Sequence, residues 1–131
     1  MRSVNWEINV HPAVELWLLK LAEEDPGSAD LVEAAIDTLA REGPTLGRPL
    51  ADRIHGSRVH NLKELRPASV GRTEVRFLFV FDPAREAILL VAGDKAGRWS
   101  QWYVEAIVLA ETRYSEYLAD VRRTGEDGDD R

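Results

Sequence analysis

Strict alternation of apolar and polar positions is strongest in the middle of the chain. From Thr73 to Phe81, Val75, Phe77, Phe79 and Phe81 fall on one side and Arg76, Leu78 and Val80 on the other. A period of two sends successive side chains to opposite faces of a sheet. The segment therefore predicts a strand whose phenylalanines cover a core while Arg76 rides the reverse face. Asp82-Pro83 breaks it, and the nearly continuous apolar run Ala87 to Ala92 predicts an interior strand. A shorter alternation, Trp6, Ile8 and Val10 against Glu7 and Asn9, predicts a first strand ended by His11-Pro12.

Two stretches instead carry helical spacing. Val14, Leu18 and Leu21, with Trp17 beside them, form a stripe behind Pro12, which suits a first helical position. Asp25-Pro26-Gly27-Ser28 stops that helix, with Ser28 expected to cap the next. There Val32, Ala35, Ile36 and Leu39 recur at helical intervals until Gly43-Pro44. Thr45 to His60 shows no clear period, Asn61 to Arg66 reads as a strand stopped by Pro67, and Ala68 to Gly71 reads as a loop. After Gly97, Ser100 is placed to cap a last helix running to about Arg122, striped by Val104, Ile107, Val108, Ala110, Tyr114 and Leu118. The order predicts an α+β, two-layer domain: an N-terminal strand and helical hairpin, an antiparallel sheet of three consecutive strands, and a C-terminal helix. The phenylalanine face should pack on the hairpin and the Arg76 face should be partly open. One domain over residues 1–122 and a disordered acidic tail over 123–131 complete the expectation.

Composition narrows the function classes. With 131 residues, 44% hydrophobic and 31% charged, the chain suits one soluble core. No apolar run approaches the roughly 20 residues of a membrane span, and the N-terminus MRSVNWEINV lacks an apolar targeting segment. The absence of cysteine excludes disulfides and thiolate chemistry and fits the cytoplasm. The net charge of −6 is unevenly spread: residues 41–98 hold 11 Lys/Arg against 7 Asp/Glu, and the rest of the chain 6 against 16. A basic middle flanked by acidic helices permits a local anion site. No Walker loop, dinucleotide fingerprint, nucleophile elbow or zinc pattern occurs, and His55 and His60 lack metal-ligand spacing, so neither cofactor nor metal is expected.

Arg76 and the basic, aromatic stretch Lys95, Arg98, Trp99, Trp102 and Tyr103 are the candidate chemistry. The run LKELR, VRFLFVF, ILLVAGDKAG and then WYVEA opening the last helix resembles the RelE/HigB group of type II toxin–antitoxin proteins, in particular its phage-derived HigB-like branch. That resemblance implies a ribosome-dependent, metal-independent mRNA endoribonuclease silenced by a cognate antitoxin, expected to be a small helix-turn-helix protein. It assigns the catalytic strand arginine to Arg76, the basic residue after the last strand to Lys95 or Arg98, and the helix-opening tyrosine to Tyr103. It also places Lys63 and Arg66 on the strand where relatives carry paired basic residues, with Glu64 where a lysine is expected. The ParE branch of the same superfamily inhibits gyrase by protein contact, so a non-catalytic binding module is the alternative.

Metal-free RNA cleavage needs a 2′-hydroxyl to attack the neighbouring phosphate while charge grows on the phosphoryl oxygens. A guanidinium suits that charge, being planar and always protonated. Tyrosine, with a pKa near about 10, is a poor base unless cations lower it, a task for Lys95 and Arg98. Trp99 and Trp102 could stack on bases, or serve as core or interface residues. Arg76 could equally pair with Glu74 or Glu64, and Tyr103 lies on the apolar stripe of its helix.

Overall fold

The computed structural model describes residues 5–69 and 71–129, leaving out Val70 of the expected 68–71 loop. In chain order the elements are β1 (Glu7–Val10), α1 (Pro12–Glu24), α2 (Pro26–Glu42), β2 (Ala51–Arg53), β3 (Lys63–Leu65), β4 (Val75–Asp82), β5 (Glu86–Asp94) and α3 (Trp99–Asp129), with a 3₁₀ turn at Gly43–Thr45. Among the described residues no helix is long and apolar enough to cross a membrane.

The helical hairpin forms as its spacing predicts, but its corner is built differently. The Nδ1 of His11 accepts from the Ala13 amide at 3.0 Å and caps α1, with Pro12 in the first turn. Asp25, and not Ser28, then serves both helices. Its amide donates to the Leu21 carbonyl at 2.7 Å, ending α1, and its Oδ1 accepts from the Ser28 amide at 3.2 Å, starting α2. Ser28 is buried and donates its hydroxyl to Asp25 Oδ2 at 2.7 Å. A side-chain acceptor must precede the free amides that it caps by two or three residues, which Asp25 does and Ser28 does not.

The sheet is mixed and five-stranded, in the order β1-β5-β4-β3-β2. β3, β4 and β5 are consecutive and antiparallel as expected, but β2 extends them antiparallel at one edge and β1 joins β5 in parallel at the other. β2 carries no periodic signal in its three residues; its pairing with β3 makes it a strand.

Phe77 and Phe79 are fully buried against Val14, Val32, Ala35 and Leu39 of the hairpin, with Trp17, Leu18 and Leu21 packed alongside. The opposite face is not open along most of its length. Leu78, Val80, Ile88, Leu90 and Val91 are buried there under Trp102, Ala106 and Ala110 of α3. The domain therefore has three layers, hairpin, sheet and α3, instead of two. Each face of the sheet is apolar enough to need its own helical cover. A bulge enforces this. Leu78 pairs with Val91 and Phe79 with Leu89, leaving Leu90 as the extra residue, so Leu90 and Val91 both face α3. The Leu90 carbonyl accepts from Arg113 Nη1 of α3 at 2.7 Å.

α3 also runs past the expected stop near Arg122, to Asp129, because no proline interrupts the i to i−4 bonding and elongation adds one bond per residue. Of the tail expected over 123–131, positions 130 and 131 lie outside the described residues.

Candidate functional site

One end of the α3-facing side of the sheet escapes apolar cover, and the charged residues gather there. On β3, Glu64 pairs in register with Leu78 and so points toward α3, while its neighbour Lys63 pairs with Phe79 and points toward the hairpin. Glu64 is 1% exposed, a burial that an ionised carboxylate sustains only with partners on both oxygens. It has them. Oε1 accepts from Arg66 Nε at 2.7 Å and Oε2 accepts from the Tyr103 hydroxyl. Arg66 reaches on to Asp52 Oδ2 of β2 at 3.4 Å, bridging two carboxylates that face each other across the strands. Glu64 holds the Arg66 guanidinium firmly protonated.

Arg76, on the neighbouring strand, is 14% exposed. Its Nη1 donates to its neighbour's carbonyl, Val75 O, at 2.8 Å, and its Nη2 lies 3.9 Å from Glu74 Oε1. Its Nε is buried with no hydrogen-bond partner among the described residues. Lys95 lies in the turn between β5 and α3. Asp94 Oδ1 locks that turn by accepting from the Glu74 and Ala96 amides at 2.9 and 3.0 Å, and Gly97 takes a left-handed φ of 77°. Lys95 is 5% exposed, and its ammonium lies 4.0 Å from Glu74 Oε1, 4.4 Å over the Trp99 ring and 5.3 Å over the Tyr103 ring. Burial, reinforced by the Arg76 charge, lowers the Lys95 pKa below that of a free lysine.

Tyr103 is the meeting point. Its ring lies edge-on to Trp99 and Trp102, with centroids 5.6 and 5.1 Å away. Its hydroxyl bonds Glu64 and feels the Arg76 guanidinium. Burial, and after it the bond to Glu64, push its pKa well above that of a free phenol, and the opposing pull of Arg76 is smaller. The expectation that Lys95 and Arg98 would lower it is therefore corrected. A buried phenol beside a carboxylate is more stable neutral, and Arg98 is not there to oppose this.

Of the residues singled out from sequence, the fold brings together Arg76, Lys95, Tyr103, Arg66 and Trp99. It turns two others away, and puts a third in the core beneath Tyr103. Arg98 forms a surface ion pair with Glu105 at 2.6 Å, directed along α3. Lys63 lies on the hairpin side of the sheet, 5.6 Å over the Phe81 ring. Trp102 is core: it is buried against Gly93, where an added Cβ would overlap the indole nitrogen. Sequence reasoning named Glu74 and Glu64 as possible partners of Arg76, and Glu74 does lie beside it; it missed Glu64 as a hub and Asp52 altogether. The alternation of β3 places Glu64 on the Arg66 face and could have marked that pairing. Beside the cluster, Trp99 is 58% exposed and borders a groove of about 330 Å³ shared with Arg53, His55, Glu64, Arg66 and Tyr103. Among the described residues no group of three His, Cys, Asp or Glu side chains could hold a metal.

Known proteins match this chain along most of its length. A family model described as Phage derived protein Gp49-like (DUF891) matches residues 17–115. HigB2 of Mycobacterium tuberculosis (strain H37Rv), which carries a toxin name, is 52% identical over 122 residues, covering 93% of this chain and 59% of that protein. HigB3 of the same organism, likewise named a toxin, is 51% identical over 108 residues, covering 82% of this chain and 90% of that protein. This chain thus spans less than two thirds of HigB2 and most of HigB3. Among solved structures, a double arginine-to-alanine mutant of the Escherichia coli toxin RelE in its free state superposes with a TM-score of 0.55 over 79% of this chain and 95% of that one, at 12% identity, a likeness of fold.

Proposed function

This chain belongs to the phage-derived Gp49-like family, and from that footing we propose that it is the toxin of a type II toxin–antitoxin pair that cleaves mRNA on the ribosome without a metal. Relatives that carry toxin names over nearly the whole chain support the first part. The observation that carries the second is the placement of Arg76, whose buried Nε has no partner among the described residues, beside Lys95 and the Tyr103 hydroxyl. Such a group of donors suits a phosphate whose charge grows during attack.

In this reading Arg76 binds the scissile phosphoryl oxygens. The attacking 2′-hydroxyl gives its proton to the Tyr103 oxygen as Tyr103 passes its own to Glu64, so that no phenolate has to form at neutral pH. Lys95, whose lowered pKa makes it a readier acid than a free ammonium, protonates the leaving 5′-oxygen. Trp99 offers an exposed face for a base. Arg66 holds Glu64 in place through the bond to its Oε1.

A second reading draws on the same network. Arg66 and Arg76 already face Glu64, Asp52 and Glu74, and an ion-pair lattice of this kind also suits a binding module that acts by protein contact and cuts nothing. Inducible expression in a bacterium separates the two. Growth arrest with cleaved transcripts, both lost in Arg76→Ala, supports the nuclease; arrest with intact transcripts supports the binding module; unimpaired growth rejects the toxin reading. A cognate antitoxin, the ribosome and mRNA are the partners this function requires.

A further inference from the structure

The side of the molecule away from the cluster has its own pattern. Residues 5–42 hold nine acidic side chains against two basic ones. Among the described residues β1 is an edge strand, paired in parallel with β5 and with no strand on its other side. The Glu7 amide donates to the Arg85 carbonyl at 3.1 Å and the His11 amide to the Leu89 carbonyl at 3.0 Å. In a parallel ladder the direction of backbone bonding alternates along the strand, so the amides and carbonyls of Ile8 and Val10 point outward from the sheet. Unpaired strand edges of this kind accept further strands.

Beside that edge lies a groove of about 470 Å³, lined by Glu7, Ile8, Val10, Glu15, Leu18 and Glu86. Ile8, Val10 and Leu18 give it apolar surface and Glu7, Glu15 and Glu86 three carboxylates, of which Glu86 Oε1 accepts from Asn9 Nδ2 at 3.2 Å. Leu18 also lines a smaller apolar groove between α1 and α2.

We infer that the outer edge of β1 is the docking site for an extended, basic segment of a protein partner, which adds to the sheet as a sixth strand. Its backbone pairs with Ile8 and Val10, its lysines or arginines meet Glu7, Glu15 and Glu86, and its apolar residues rest toward Leu18. The strand order puts this edge at the far end of the sheet from β2 and β3, so the occupant leaves the Glu64–Tyr103 cluster uncovered. Naming that partner as the antitoxin rests on the toxin reading; the docking chemistry does not.

The test uses the full chain immobilised as bait for a displayed library of short random peptides. Selected peptides should alternate Lys or Arg with apolar residues, protect the Ile8 and Val10 amides from hydrogen exchange, and weaken with salt. The double variant Glu7→Lys/Glu15→Lys, at exposed positions, should bind them about tenfold more weakly, the order expected from reversing two surface carboxylates. A library without binders, binders lacking basic residues, protection at the β2 edge or the cluster, or helical spacing with protection in the α1–α2 groove would each overturn the inference. Growth arrest is read in parallel. Its loss in the wild type rejects the toxin reading and leaves the docking result standing, whereas arrest with no edge binding rejects the docking alone.

Discussion

Tyr103→Phe isolates one contact at the centre of the cluster. The substitution keeps the ring against Trp99 and Trp102 and leaves no cavity, but it removes the donor to Glu64 Oε2. Glu64 is 1% exposed, so water cannot readily replace that donor, and only Arg66 remains as a partner. Losing a hydrogen bond to a buried charged group costs about 1.5–3 kcal/mol. In a domain of this size that is a drop in Tm of about 5–15 °C. The pH dependence supplies a second check. The folded phenol has a raised pKa, whereas the unfolded one ionises near 10.0. The unfolded state therefore releases this proton first, so the stabilisation from a neutral Tyr103 is complete below about pH 10 and is lost as pH rises further. The variant has no such proton. Urea denaturation of both proteins at pH 7.5 and again near pH 10.5 should show the full gap at the lower pH and a smaller one at the higher. A gap under about 0.5 kcal/mol at pH 7.5, or one that widens with pH, would refute the claim that Tyr103 supports a buried carboxylate.

Two further substitutions test how the site is held. Gly93→Ala places a Cβ against the buried indole of Trp102, 3.1 Å from Cε2, and Gly93 is the cross-strand partner of Arg76. Overpacking of this kind costs about 1–3 kcal/mol; denaturation should show that loss, with weakened toxicity, and a wild-type profile would place Trp102 elsewhere. Arg113→Met keeps the apolar stem but leaves the Leu90 carbonyl at the bulge without its donor. A loss of about 1–3 kcal/mol in urea denaturation is expected, and an unchanged midpoint would mean that solvent serves that carbonyl equally well.

Local periodicity by itself determined a good deal of this protein. The alternation of β4 identifies its phenylalanine face, the spacing in α1 and α2 identifies the stripes that meet it, and the run from LKELR to WYVEA carries the family signature. Each alternation or stripe is set by residues a few positions apart, where dihedral preferences and burial act directly. Tertiary structure decided what depends on pairing between distant segments. β2 exists through its ladder with β3, and the bulge at Leu90 turns two neighbouring residues onto one face. α3 seals a surface that alternation alone left partly open. The site follows the same division. Strand parity settles that Lys63 and Glu64 face opposite ways, and the locked turn at Asp94 settles that Lys95 reaches Tyr103 while Arg98 turns to Glu105. Glu64 and Tyr103, 39 positions apart, come within bonding distance only because β3 and the first turn of α3 meet across the sheet. A buried carboxylate cannot stay charged without such partners, so the residue that looked like a departure from the basic pattern holds the cluster together.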